Sequence, residues 1–332
     1  MRWMSLVLCG VVLLGCGEEF TPASQVDGLR VLAIEASPPT IQCDVRQTFQ
    51  ELASGSVEDL SCSETAELQA LVHSSSPIQW TWSACLFDTT SSNAFACADE
   101  SLECCLSDEP TASFSLASLM LAIGSGACSD ECTGSASGDL LAGVTTQGRE
   151  DLESEMSVIG AALLQTGALI RLVVTSGGEK VEAVKSVRFA VEESPNSNPV
   201  IEAVELDYPG CPQPDGEGWC ASADDEVVSM GAGETMRIRV SVTEDSEEDF
   251  IDVLGDSDRE EMHAFWFATA GDISSEESYG RPAETEWTAP AAIDWPDGEV
   301  VQLWFVIRDG RGGVTWTKRT VERQSEGEGS GG

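Results

Sequence analysis

Apolar and polar residues alternate along many short stretches of this chain, and a period of two is typical of half-buried β-strands. In the first half this pattern predicts strands at residues 29–36, 67–73, 78–85, 169–174 and 184–191. In the second half it predicts strands at residues 200–206, 234–242, 263–269, 300–308 and 314–321. Turn residues such as the glycines at 310, 312 and 313 separate the strands, so the pattern favours antiparallel β-sandwiches.

The strand pattern is interrupted between residues 86 and about 167, where Ser, Ala, Asp and Cys are abundant. Apolar positions spaced by three and four predict helices at residues 114–123 and 151–164. A structureless loop of this length is unusual in a compact domain. We therefore expect a Cys-rich, partly helical insertion that disulfides crosslink to the first sandwich.

Composition shifts divide the chain into segments. Residues 194–199 are rich in Pro, Asn and Ser, which predicts a linker between one domain at 28–193 and a second at 200–323. Residues 16–27 are predicted to be a short polar tether, and the Gly/Ser/Glu-rich residues 324–332 a disordered tail.

Charge excludes one class of partner. The 332 residues include 17 Lys and Arg against 58 Asp and Glu, which gives a formal net charge of −41. Nucleic-acid binding requires basic patches on the protein surface, so we expect no nucleic-acid partner. Because 42% of the residues are hydrophobic, the chain is not an acidic disordered tail.

The N-terminus predicts where the protein resides. Arg2 precedes an apolar stretch at residues 5–14, which is too short to span a bilayer as a helix. The sequence Leu13-Leu14-Gly15-Cys16 that follows resembles the lipobox of bacterial lipoproteins. That resemblance implies cleavage of a signal peptide at residues 1–15, acylation of Cys16 and attachment to the membrane through the acyl chains. Gly17 rather than Asp after the Cys implies export to the outer membrane. The alternative is an ordinary signal peptide with Cys16 as a disulfide thiol.

Ten further cysteines remain in the exported chain, an even number that is typical of disulfides in an oxidising compartment. The turn residues between Cys211 and Cys220 predict a local bond between these two. A zinc site is the alternative, but neither histidine lies in a Cys cluster. The other eight cysteines allow many pairings: Cys43, Cys62, Cys85, Cys97, Cys104, Cys105, Cys128 and Cys132. The neighbours Cys104 and Cys105 are expected to bond to different partners.

Short motifs then suggest a family. Residues 30–39 and the Trp82-Ser83-Ala84-Cys85 sequence resemble Ig-like outer-membrane lipoproteins of myxobacteria and related bacteria. Residues 265–271, 288–290 and 304–313 resemble a PKD- or cadherin-like Ig domain. The resemblance implies two Ig-like antiparallel β-sandwiches, the first with the Cys-rich insertion, displayed outside the cytoplasm and without a settled activity.

Catalytic motifs are absent from the sequence. It contains neither Gly-x-Ser-x-Gly nor His-Glu-x-x-His, and its two histidines are far apart, at His73 and His263. Abundant carboxylates leave a two-carboxylate hydrolase as an alternative. Five tryptophans lie on strand patterns, where core packing is favoured over sugar binding: Trp80, Trp82, Trp266, Trp304 and Trp316.

Calcium is the candidate cofactor, because residues 244–261 place ten acids in 18 positions. The candidate ligands are Asp245, Asp249, Asp252, Asp256 and Asp258. The pattern departs from an EF-hand loop, since Glu261 and Phe267 stand where that loop has Gly and an acid. The alternative is a solvated acidic surface.

These observations together predict a lipid-anchored, non-enzymatic protein that binds an envelope protein or polysaccharide, or acts in adhesion or envelope assembly. Two alternatives stay open: an envelope hydrolase or carbohydrate-processing protein that uses the insertion, and a Ca²⁺-dependent adhesion module. A ligand-binding component of a transport or secretion system is a third.

Overall fold

The computed structural model describes residues 22–44, 47, 51, 62, 64–86, 103–125, 128, 167–190, 195–211, 218–223, 226–251 and 257–324. Within them the chain forms two β-sandwiches joined by the linker around residue 196, so the mostly-β prediction is confirmed. The helix predicted at 151–164, the predicted tail and Cys16 lie outside the described residues. No helix in the described part is long and apolar enough to cross a membrane.

The first sandwich consists of a three-stranded and a five-stranded sheet. Its elements are β1 (Arg30–Ser37), β2 (Thr40–Gln42), β3 (Ala66–His73), β4 (Gln79–Leu86), β5 (Cys104–Ser107), β6 (Thr111–Phe114), α1 (Leu116–Ser125), β7 (Ala168–Ser176) and β8 (Glu179–Ala190). The strand orders are β1-β3-β6 and β2-β8-β7-β4-β5. All pairs are antiparallel except β2 with β8. The core between the sheets includes Trp82, Phe114 and Ile170.

The second sandwich consists of two five-stranded sheets and a small hairpin. Its first strands are β9 (Ile201–Asp207), β10 (Cys220–Ala221), β11 (Val227–Met230), β12 (Thr235–Val242), β13 (Asp249–Ile251) and β14 (Ser257–Arg259). The others are β15 (His263–Ala268), β16 (Asp272–Ile273), β17 (Glu277–Tyr279), β18 (Ala283–Thr288), β19 (Val300–Arg308) and β20 (Val314–Arg323). The sheets run β10-β9-β12-β18-β16 and β11-β20-β19-β15-β17, with β11 parallel to β20. β13 and β14 form the hairpin.

Tryptophans fill the core of the second sandwich. Trp266 meets Phe305 edge to face at 5.4 Å between ring centres, and Trp287 meets Trp295 in the same way at 6.3 Å. Both Trp287 and Trp295 are fully buried. The sequence pattern singled out neither of them, because the strand that carries Trp287 is short and follows Pro282.

The two sandwiches pack face to face along an interface that we call the seam. Leu303, Phe305 and Ile307 of β19 point into the core of the second sandwich. Trp304 and Val306 point to the opposite face, where Trp304 packs with Leu32 and Val306 with Ala33, both on β1. β19 is therefore buried on both faces, which explains its nearly continuous apolar sequence.

The segment before β1 also lies against the second sandwich. Ala268 donates its N–H to Ser24 O at 2.9 Å, and Val26 donates to Ala268 O at 2.8 Å. Val26 is only 1% exposed and packs with Trp304. Residues 24–26, which lie in the segment predicted to be a short polar tether, thus pair with the end of β15 at Ala268. The reason is that β17 pairs only with the first half of β15 and leaves the second half open.

Candidate functional site: the polar junction between the domains

The turn between β19 and β20 is organised around the buried carboxylate of Asp309, which is 2% exposed. Its Oδ1 accepts hydrogen bonds from the backbone N–H groups of Arg311 at 2.7 Å and of Gly312 and Gly313 at 2.9 Å. A Cβ at residue 313 would overlap Asp309 Oδ2 and lie 2.7 Å from Ser197 O. Glycine is therefore required here so that the linker can pass close to the turn.

Two asparagines of the linker bind this turn to both domains. Asn196 donates to Asp309 Oδ2 at 2.8 Å. Asn198 donates to Ala36 O of β1 at 2.8 Å, and its Oδ1 accepts the N–H of Val314 at 2.9 Å. The linker predicted at residues 194–199 is consequently fixed to both sandwiches over residues 196–198. We call these residues, together with the Asp309 turn and its charged neighbours, the junction.

A partly buried lysine completes the contact from the first sandwich. Lys185 of β8 donates to Gly312 O. Burial lowers the pKa of Lys185 to about 8, against the opposing attraction of Asp309 and Glu35. Burial likewise lowers the pKa of Arg308. Its guanidinium lies 4.8 Å from the ring centre of Phe265 at the edge of the seam. The junction thus holds two partly desolvated cations.

On the other side of the turn, Arg311 binds two of the acids that the sequence marked as a dense cluster. Its guanidinium lies 2.9 Å from Glu260 Oε1 and 3.5 Å from Glu248 Oε2, and 4.6 Å from the ring centre of Phe250. Glu260 is 5% exposed, and its burial raises the pKa of the carboxyl to about 7. These two acids of the cluster therefore hold the turn that joins the domains.

Three of the five calcium candidates lie within the described residues. Asp245, Asp249 and Asp258 are exposed, and the described residues contain no group of three His, Cys, Asp or Glu side chains that could hold a metal ion. Asp252 and Asp256 lie outside the described residues. In the β13–β14 hairpin Asp249 stands opposite Arg259.

The cysteines form disulfides as the exported-chain interpretation expects. The structure joins Cys211 to Cys220, the pair indicated by the turn residues between them. Two further bonds are Cys43–Cys62 and Cys104–Cys128. Cys85 and Cys105 are also disulfide-bonded, so the neighbours Cys104 and Cys105 have different partners. Cys97 and Cys132 lie outside the described residues.

The five tryptophans singled out in the sequence take two roles. Trp82 and Trp266 lie in the two cores, and Trp80 packs against the first core. Trp304 and the half-buried Trp316 instead belong to the seam. Like Trp287 and Trp295, Trp219 was not singled out by the sequence pattern. Its ring covers the guanidinium groups of two arginines on the outer face of β12, at 4.9 and 4.1 Å from Arg237 and Arg239.

The two histidines have different ring neighbours. The His73 ring meets that of Trp304 edge to face at 5.2 Å between ring centres in the seam, and burial lowers the pKa of His73. His263 Nδ1 lies 3.1 Å from Glu277 Oε1, and the His263 ring lies 4.6 Å from that of Tyr279.

Sequence reasoning missed the junction residues Lys185, Asn196, Asn198 and Glu260. The signals that could have found them are the Asn-x-Asn-Pro sequence at the domain boundary and the Asp-Gly-x-Gly-Gly turn. Asparagine side chains both donate and accept, so a pair of them beside a buried aspartate can join two backbones.

Similarity of this chain to known proteins is found among solved structures. No family model matches the chain, and no curated protein matches it. Among solved structures it is similar to domains 4 and 5 of the S-layer protein SbsC, with 13% identity over 47% of this chain and 58% of that one and a TM-score of 0.18. It is also similar to a chimeric titin Z1Z2, with 10% identity over 79% and 90% and a TM-score of 0.18. A third is the Escherichia coli alpha-2-macroglobulin, with 8% identity over 91% and 22% and a TM-score of 0.21. These likenesses carry no argument, and the mostly-β fold is seen in the sheets of the structure itself.

Proposed function

We propose that this protein is a lipid-anchored, extracytoplasmic protein with a non-enzymatic role in binding, adhesion or envelope assembly. One observation carries the proposal: the seam and the junction join the two sandwiches through shared apolar packing and hydrogen bonds. Two domains that are held at a fixed angle present their outer faces in a constant arrangement. Such an arrangement suits recognition of a large partner, because less conformational freedom is lost on binding.

The chemistry of the junction supports a structural use of its charged groups. Asp309 is surrounded by backbone donors and Asn196, and Glu260 faces Arg311. Both carboxylates are buried, so neither is open to a substrate. The proposal needs no cofactor. With a net charge of −41, the partner is an envelope protein or polysaccharide rather than a nucleic acid.

The lipobox-like sequence that ends at Cys16 supports the anchor. Acyl chains contribute about 0.8 kcal/mol per buried CH₂, so two or three of them hold a protein on a membrane. This mode of attachment is independent of the negative charge of the body.

Two measurements test the proposal. Cells that express the chain are fed a labelled fatty acid, and we expect label in the wild type and none in Cys16→Ala. Crosslinking in intact envelopes, followed by purification, should then recover one dominant protein or polysaccharide with the wild type. A Cys16→Ala protein that still fractionates with membranes would contradict the anchor. Turnover of an envelope polymer by the purified chain would contradict the non-enzymatic role.

A further inference from the structure

The segment at residues 22–29, which we call the clasp, lies against the second sandwich before the chain enters the first. Val26 and Ser24 exchange backbone hydrogen bonds with Ala268, and Ser24 also donates to Glu276 Oε1 from its N–H at 3.3 Å and from its hydroxyl at 3.2 Å. At the other end of the clasp, Leu29 donates its N–H to Glu179 Oε2 at 2.9 Å. The clasp is therefore bound at one end to each sandwich.

Burial shows that the clasp is part of the folded body. Ser24, Val26 and Leu29 are all buried, and Val26 packs against Trp304 and Leu32 in the seam. The chain consequently crosses between the sandwiches twice, once through the clasp and once through the linker. If this segment were instead a free tether, the backbone groups at the end of β15 would lack the hydrogen bonds that the clasp makes with Ala268.

The clasp limits the distance between the folded domains and the acylated Cys16. Six peptide steps separate Cys16 from Pro22, the first described residue. A fully extended chain spans at most about 3.3–3.6 Å per residue, so Pro22 lies no more than about 20 Å from the acylated residue. This limit depends only on the number of residues and on the site of attachment.

We propose that the clasp shortens the lipid tether to residues 17–21, so that the Ala268 end of the second sandwich faces the membrane. The partner of this end is the surface of the bilayer that carries the acyl chains. The junction lies at the opposite end of β15 and β19, about 20 Å away at about 3.3 Å per strand residue, and is directed away from the bilayer. The inference rests on the proposed lipid anchor at Cys16, and it adds an orientation that the anchor alone does not supply.

A pair of matched labels tests this orientation. Asp272 is exposed next to the Ala268 end, and Asp258 is exposed next to the junction end. The acylated full chain carrying Asp272→Cys or Asp258→Cys is labelled with a fluorophore and reconstituted into vesicles that contain a headgroup-labelled acceptor lipid. Because the two ends are about 20 Å apart, we expect about twofold higher energy transfer from residue 272 than from residue 258. Equal transfer from the two positions would overturn the proposal.

Two variants separate the clasp from the anchor. Insertion of twenty Gly and Ser residues after Phe20 leaves the fold untouched and should remove the difference between the labels. Val26→Ser should open the clasp and reduce the difference, whereas Val228→Ser, an equally buried valine outside the clasp, should preserve it. A difference that persists after the insertion would also overturn the proposal.

Hydrogen exchange distinguishes failure of the clasp from failure of the anchor. The amide of Val26 is bonded to Ala268 O, so it should exchange slowly in the wild type and faster in Val26→Ser. Fast exchange in the wild type would refute the clasp itself. Slow exchange in a protein that does not float with vesicles would refute the anchor instead, and with it the orientation.

Discussion

The seam gives the sharpest stability prediction, at Trp304. Its side chain is 6% exposed and packs against Leu32 and Val26, and its ring lies 5.2 Å from that of His73. All three partners lie outside the second sandwich, since Trp304 points away from that core. Truncation of a buried Trp costs about 3–5 kcal/mol, so we expect Trp304→Ala to lose about this much free energy of unfolding.

The assay is urea unfolding of the mature chain, followed by fluorescence and far-ultraviolet circular dichroism. Loss of the seam should also uncouple the sandwiches, so the two probes should no longer report coincident transitions. Trp304→Phe keeps an aromatic ring in the seam and should lose less free energy than Trp304→Ala. Independent sandwiches would leave Trp304 on a solvent-facing surface. A loss below about 1 kcal/mol with unchanged, coincident transitions would therefore refute the seam.

The junction gives three further predictions. Gly313→Ala should lower the melting temperature by several degrees more than Gly310→Ala, because only at residue 313 would the new Cβ meet the Asp309 carboxylate; equal losses would contradict this. The raised pKa of Glu260, about 7, means that its contribution to stability is lost as pH rises from about 4.5 to 7, and Glu260→Gln should flatten that part of a stability–pH curve. The lowered pKa of Lys185, about 8, means that stability should rise between about pH 8 and 10.5, and Lys185→Met should abolish that rise. If the slope of stability against pH persisted in Glu260→Gln or Lys185→Met, groups other than Glu260 or Lys185 would be responsible for it.

Much of the strand pattern could be read from the sequence. The alternation around Trp82 and Trp266 predicted strands that the structure contains, since each lies in a sheet with one face on a core. The Asp-Gly-x-Gly-Gly sequence predicted the β19–β20 turn, because glycines at 310 and 312 adopt positive φ there.

The seam could not be predicted in the same way. An apolar run such as residues 303–307 is compatible with a strand that is buried on both faces. The run does not identify the element that covers the second face. Leu32 and Ala33 of β1 are adjacent in sequence, yet both pack in the seam, because the pairing of β1 with β3 shifts register between Val31 and Ala33. A simple alternation of faces therefore could not predict this. Val26 is a single apolar residue in a polar segment, and its burial depends on the open edge of β15.

The junction residues were hidden for a different reason. Lys185 occupies a strand whose polar residues read as solvent-facing, and its burial arises only when the Asp309 turn lies against it. Glu260 is one acid among ten in its segment, so composition could not separate it from its exposed neighbours. The burial of both side chains depends on tertiary contacts between distant parts of the chain, which the local sequence does not show.

The central claim is that the two sandwiches form one rigid body. Pulsed electron spin resonance between labels at Thr81→Cys in the first sandwich and Glu286→Cys in the second measures this directly, since both positions are exposed. A control pair at Ser229→Cys and Glu286→Cys lies within the second sandwich. We expect a single narrow distance distribution between the sandwiches, as narrow as that of the control pair. A broad distribution between the sandwiches beside a narrow control would contradict it.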